Sequence, residues 1–168
     1  VLLYNDIRKF GYFSIINNPI SLYNFKNLGI EPIYLKNYTD YLWNIIKKKN
    51  KDIKSLLLDQ SFITGIGNIY ASEILFDSKI FPFKTASKIN KKSFTKLLNS
   101  IEKILEKAIS SGGTTIKDFQ NIVGDLGYFQ KNFKVYGREG LTCYKCKNLI
   151  VKVKNKGRST FYCKICQK

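Results

Sequence analysis

Apolar residues fall at helical spacing over the middle of the chain. Phe94, Leu97, Leu98, Ile101, Ile104, Leu105 and Ala108 form one stripe, the signature of a helix with a single buried face. The stripe predicts a long amphipathic helix from about Lys91 to Ser110, ended by Gly112-Gly113 as a C-cap. It is core and carries no chemistry. A helical pattern also starts at Tyr38, with Tyr41, Leu42, Ile45 and Ile46 on one face, and runs into the basic stretch Lys47-Lys48-Lys49-Asn50-Lys51. Residues Ile53 to Gln60 read as a short helix and Ile69 to Asp77 as another, separated by Gly65-Ile66-Gly67-Asn68. Helix, glycine turn, helix is a helix-turn-helix layout.

Strand signals are confined to the two ends. Tyr12 to Ile16 is an apolar run closed by the turn Asn17-Asn18-Pro19, and Asn27 to Pro32 reads as a loop. Near the other end, Leu149 to Val153 and Thr160 to Tyr162 are predicted strands around Asn155-Lys156-Gly157. Between these lie the connector Phe81-Pro82-Phe83 and a loop from Thr114 to Gly127 with a short helical piece at Ile116 to Phe119. The fold class expected is mainly α with small β elements.

Composition sharpens this picture. With 168 residues, 44% of them hydrophobic and 14% aromatic, the chain can bury a core and is not a disordered tail. Its net charge of +17, from 29 basic and 12 acidic residues, favours a polyanionic partner, nucleic acid above all. No apolar run is long enough to cross a membrane, and no signal peptide is visible. With paired CxxC motifs and no secretion signal, a reducing, cytoplasmic location is expected. The sequence holds no methionine, so Val1 is expected to be an internal cut of a longer polypeptide.

The strongest chemical signal is Cys143-x2-Cys146 with Cys163-x2-Cys166, all four cysteines of the chain. Paired CxxC turns without secretion favour a metal over disulfides. Zinc takes tetrahedral thiolate sites, and with no histidine in the chain the site is all-cysteine. Four thiolates leave no open position, so the one Zn2+ expected is structural and supplies folding energy the small hairpin lacks. Cys143 to Lys168 also carries eight Lys or Arg and no Asp or Glu.

Three further features are less specific. Arg158, beside the Gly157 turn, suits a solvated surface or a bidentate phosphate contact. Asn68 can cap the helix that follows it, or offer a donor to DNA at a helix N-terminus. Lys49 and Lys54 belong to a basic segment before that turn, a solvated face or a phosphate contact. With neither a phosphate loop, HExxH, nor a Ser/His pair, no catalytic constellation follows from the residues themselves.

These pieces, in this order, resemble the C-terminal portion of bacterial formamidopyrimidine-DNA glycosylase. The stretches that carry the resemblance are Tyr4 to Gly11, Thr64 to Glu73, Gly112 to Phe119, Val135 to Arg138 and Arg158 to Cys163. Together they extend over almost the whole chain. The resemblance implies base-excision repair of damaged double-stranded DNA: excision of 8-oxoguanine and formamidopyrimidines from a flipped nucleotide, followed by strand nicking at the abasic site. It also implies a monomer with three parts. Residues 1–35 would end a β-sandwich domain, 36–130 would form a helix-two-turn-helix domain with a lesion-capping loop, and 131–168 a zinc finger.

By position, the resemblance makes Arg8 the arginine facing the unpaired cytosine and Phe10 the wedge filling the opened stack. Asn68 becomes a phosphate ligand, Lys49 a DNA contact, and Lys54 a lysine near the lesion. Arg158 becomes a phosphate contact and the proton donor of δ-elimination, and its catalytic role rests on that match alone. Lys117 to Gly127 corresponds to the loop closing over the base, and the four cysteines match the zinc ligands. The family's catalytic Pro-Glu start and its β-sandwich lysine have no counterpart in these residues, which by themselves are expected to bind DNA and zinc without excising a base. Two rival readings are a non-catalytic DNA-binding module and an endonuclease VIII-type glycosylase of oxidised pyrimidines; Gly112-Gly113-Thr114-Thr115 and Tyr136-Gly137-Arg138 favour the purine branch.

Overall fold

The computed structural model describes Tyr4, residues 27–113 and residues 129–168. The predicted strand at Tyr12 to Ile16, Arg8, Phe10 and the Lys117 to Gly127 loop lie outside the described residues. Among the described residues, four helices precede one hairpin: α1 (Thr39–Lys47), α2 (Ile53–Leu57), α3 (Asn68–Asp77), α4 (Lys91–Ser110), β1 (Val151–Asn155) and β2 (Arg158–Tyr162). Short 3-10 turns at Pro32–Tyr38, Ala86–Lys88 and Phe129–Asn132 link them. Among the described residues, no helix is long and apolar enough to cross a membrane.

α4 spans the predicted range, with Asn90 accepting from the Ser93 N–H at 2.8 Å as its N-cap. Gly112 and Gly113 close it in the left-handed region, φ 71° and 82°, and the Gly113 N–H donates to the Ala108 carbonyl at 2.8 Å. Helical structure starts earlier than the apolar pattern suggests, at Pro32. Proline fits a first turn because its ring fixes φ and it has no N–H to satisfy. On α1, Leu42 and Ile46 are buried and Ile45 is partly so, whereas Tyr41 faces out against the Tyr38 ring. Leu42 and Ile46 lie one turn apart, and Tyr41 is rotated off their line.

α3 is the centre of the molecule and packs on α2, α4 and β2. Ala71, Ile74 and Leu75 enter the main core with Leu42, Leu56 and Phe94. Phe76 instead joins a second core with Val135, Cys143, Ile150, Phe161 and Cys163. One helix thus completes both the helical core and that of the cysteine-bearing ribbon.

The ribbon is tied to α3 by polar groups as well. Glu73 is buried, and its carboxylate accepts the backbone N–H groups of Lys134 at 2.8 Å, Val135 at 2.9 Å and Tyr136 at 2.8 Å. Burial holds this carboxyl above the ordinary carboxylate range, and the three amides offset only part of that rise. At the far end, Gln167 accepts from the Cys163 N–H at 2.9 Å and donates to the Ile80 carbonyl at 2.9 Å. Glu73→Gln preserves shape but replaces one acceptor oxygen with an NH2 that cannot accept from an amide. It should lower unfolding free energy by about 1–3 kcal/mol, measured by denaturant unfolding followed by circular dichroism. An unchanged midpoint would show that the carboxylate is not the tether.

Candidate nucleic-acid interface and metal centre

Both CxxC segments are tight turns that aim their sulfurs inward. The Lys147 N–H donates to the Cys143 carbonyl at 3.0 Å and the Gln167 N–H to the Cys163 carbonyl at 3.1 Å. Lys147 takes a left-handed φ of 64° to close the first turn. The four thiols are unpaired, and their sulfurs lie within 4.8 Å of one another, with Cys146–Cys163 at 3.3 Å and Cys143–Cys166 at 3.9 Å. A tetrahedral zinc–thiolate site with bonds of about 2.3 Å has sulfurs roughly 3.8 Å apart, so the cluster fits one zinc ion. The charge balance agrees. The Asn148 N–H holds Cys146 down to about 6, while burial and neighbouring sulfurs push Cys166 up to about 12. Thiols this crowded resist joint ionisation unless a cation offsets their charge.

The hairpin carries Arg158 to the helical domain. β1 and β2 pair antiparallel with Asn155 opposite Arg158. The intervening two-residue turn has positive φ at both Lys156 (48°) and Gly157 (78°), as a tight hairpin requires. The hairpin extends two residues closer to its tip on each strand than the apolar pattern predicts. Polar Lys154, Asn155, Arg158 and Ser159 sit in the ladder, held by backbone pairing rather than by burial.

Beyond Arg158, the carbonyl of Ser159 is a meeting point. Lys54 Nζ of α2 donates to it at 2.9 Å, and Asn68 Nδ2 at the start of α3 donates at 3.0 Å. Lys54 also donates to Thr160 Oγ1 at 2.8 Å and is only 2% exposed. At the tip, Lys156 Nζ reaches Asp52 Oδ2 and Ser55 Oγ, both at 3.3 Å. Asp52 is itself the N-cap of α2, accepting from the Ser55 N–H at 2.8 Å. Between hairpin and α2 lies a cleft of about 310 Å³ lined by Lys51, Lys54, Asp59, Lys156, Arg158 and Thr160, among others. It concentrates positive charge where the two parts of the protein join.

Asn68 is not the cap of α3. Gly67 occupies that position with no side-chain cap, and the Asn68 amide is turned to the hairpin instead. Its Oδ1 is buried and, among the described residues, accepts no hydrogen bond. Arg158 is exposed, and Lys49 is exposed just past α1, outside the cleft lining. Lys54, Asn68 and Arg158 are therefore brought together and Lys49 is not. Glu73, Lys156, Gln167 and the Ser159 carbonyl are functional groups that the sequence pattern does not single out. Only Glu73 leaves a trace there, as a carboxylate amid the apolar residues of α3.

Residues 28–120 match the family model described as the formamidopyrimidine-DNA glycosylase H2TH domain, and residues 140–168 match that of the zinc finger found in FPG and IleRS. Over 166 residues the chain is 40% identical to the formamidopyrimidine-DNA glycosylase of Wolbachia sp. subsp. Drosophila simulans (strain wRi), covering 99% of this chain and 61% of that protein. It is 44% identical to the Rickettsia africae (strain ESF-5) protein of the same name over 167 residues, with the same coverage of 99% and 61%. The chain thus spans 61% of the length of these curated relatives. Among solved structures, it is similar to the MutM (Fpg) protein of Thermus thermophilus, with TM-score 0.80 and 34% identity, covering 84% of this chain and 54% of that one. It is also similar to Lactococcus lactis Fpg in complex with DNA containing an abasic site, with TM-score 0.81 and 36% identity, covering 89% and 55%.

The metal site should take up one zinc per chain. Chelation should speed amide hydrogen exchange across residues 143–168 while α4 stays protected; equal loss of protection in α4 would mean that the metal holds the whole fold. Lys54 makes a second expectation. Burial pushes its ammonium down to about 8; Asp52 pulls it up and Arg158 pushes it further down. Between pH 8 and the ordinary lysine value of 10.5 the unfolded chain therefore holds more protons than the folded one, and stability rises with pH across that window. Denaturant unfolding at several pH values should show wild-type stability climbing relative to Lys54→Met over this range. Parallel curves would refute the depressed ammonium.

Proposed function

Because the chain belongs to the formamidopyrimidine-DNA glycosylase H2TH-domain family, we propose that it is the DNA-gripping portion of a base-excision repair glycosylase with abasic-site lyase activity. The observation that carries this reading is the junction at Ser159, where Lys54 and Asn68 from two helices meet the strand bearing Arg158. A hairpin set on two helix ends, beside a basic cleft, suits a bent phosphodiester backbone better than a small ligand. In this reading Asn68 and Arg158 grip phosphates at the damaged nucleotide, Arg158 protonates the leaving phosphate in δ-elimination, and Lys49 touches the backbone further along. Arg8 faces the orphaned cytosine and Phe10 fills the void left by the extruded base.

Oxidised purines are the proposed lesions. Solved Lactococcus lactis Fpg complexes with Fapy-dG-containing DNA and with abasic-site DNA support this choice, as do the names of the curated relatives. The parts divide as residues 1–35, 36–130 and 131–168, with zinc shaping the last and forming no part of the chemistry. The protein works as a monomer on nucleoid DNA. The proline that forms the family's imine is not among these 168 residues, whose prolines are Pro19, Pro32 and Pro82. A polypeptide of these residues alone binds damaged duplex and does not excise.

Binding of the 168-residue chain to a duplex with an abasic-site analogue tests this reading. Affinity should fall steeply with salt. Arg158→Ala should weaken binding by about 1.5–3 kcal/mol and flatten the plot of log affinity against log salt by about 0.9. Wild-type affinity and slope in Arg158→Ala would overturn the phosphate grip. Release of 8-oxoguanine by this polypeptide would overturn the division of labour.

A further inference from the structure

We infer that Lys54 is a positioning residue that sets the strand carrying Arg158, and that it is not itself a contact to DNA. The inference rests on the reading that Arg158 and Asn68 grip phosphate, and it assigns Lys54 a different part from the one the family resemblance implies.

The geometry leaves Lys54 little to give to a ligand. Its side chain crosses from α2 to the hairpin and is 2% exposed. An ammonium has three N–H groups; one goes to the Ser159 carbonyl and one to Thr160 Oγ1. Both acceptors lie on β2, immediately after Arg158. Main-chain pairing fixes β2 only against β1 and says nothing about where the hairpin sits over α2. Lys54 supplies that second anchor, with the Lys156 contacts to Asp52 and Ser55 steadying the tip.

Asn68 shares the same acceptor. One Nδ2 hydrogen is held by the Ser159 carbonyl, and an amide nitrogen carries a second hydrogen for an outside acceptor. The carbonyl thus receives both donors. Lys54 and the Ser159 carbonyl orient the Asn68 amide and the Arg158 strand as one unit. Losing Lys54 frees the hairpin to move over α2 and misaligns both phosphate ligands together.

Two measurements decide this. The first uses the unaltered 168-residue chain. Labelling with an amine-reactive acylating reagent, read by mass spectrometry, should leave Lys54 unmodified with or without duplex, while exposed Lys49 reacts in the free protein. Lys54 labelled in the free protein and protected by duplex would overturn the inference. The second is a double-mutant cycle on affinity for abasic-site duplex, with zinc content checked in each variant. Lys54→Met should weaken binding roughly tenfold, as expected for loss of about one charged hydrogen bond, and should weaken it clearly less in the Arg158→Ala background, where Asn68 alone is left to misalign. Equal weakening in both backgrounds would mean direct contact or general destabilisation, and would overturn it. If Arg158→Ala alone leaves affinity unchanged, the phosphate-grip reading fails first. If Lys54→Met does not hold zinc, the labelling result decides.

Discussion

A buried carboxylate with three backbone amides on it constrains how the halves of this protein meet. Glu73 sits inside α3, among residues that bury apolar surface. A charge in that place is costly unless its lone pairs are filled. The amides that fill them belong to Lys134, Val135 and Tyr136, the segment leading into the ribbon. A shift of that segment would strand three donors and an anion together. The ribbon's approach is therefore held by a group that tolerates little displacement, and Phe76 fills the ribbon's core from the same helix.

That fixed approach explains how a hairpin with little core of its own can present Arg158 reproducibly. The near end of the ribbon is set by Glu73 and Gln167, and its middle by the Lys54 and Asn68 donors on Ser159. The tip is set by Lys156 on the cap of α2. The contacts run along the hairpin from base to tip, and all of them land on α2, on α3 or on the turn just past α3. The basic cleft between hairpin and α2 is the product of that alignment. Lys51 and Lys156 in it are paired with Asp59 and Asp52. That leaves Arg158 as the exposed cation of the cleft without a carboxylate partner among the described residues, and suits the cleft to an added anion.

Legibility from sequence tracked how local the cause was. α4 was readable at both ends because its stripe and its two glycines lie within a turn or two of the boundaries they set. The metal ligands were readable because CxxC spacing is itself the turn geometry. The hairpin's outer half was not, since polar residues at Lys154 to Ser159 are held there by ladder bonds that leave no apolar alternation. After a glycine turn Asn68 reads locally as a cap or as a donor to DNA; a partner on Ser159, 91 residues away, draws its amide away from the capping position. Lys54 reads locally as part of a basic run, a solvated face or a phosphate contact, and neither reading anticipates its burial, because the hairpin that covers it comes from the far end of the chain. Side chains whose role depends on a distant carbonyl have no signature in their own neighbourhood.

Metal and tether do different jobs in this arrangement. Zinc closes the two knuckles on each other and so makes the ribbon a rigid body, but none of its ligand side chains reaches α2 or the basic cleft. Placement is left to the hydrogen bonds that Glu73, Gln167, Lys54 and Asn68 take part in, and to Phe76 packed in the ribbon's core. If Arg158 and Asn68 grip phosphate as proposed, a rigid body with unfixed placement could not align the two, and a placed but floppy hairpin could not hold Arg158 on a phosphate. The two requirements are met by separate groups. For that reason the metal can be structural in chemistry and still matter to binding, through the strand whose carbonyl α2 and α3 both hold.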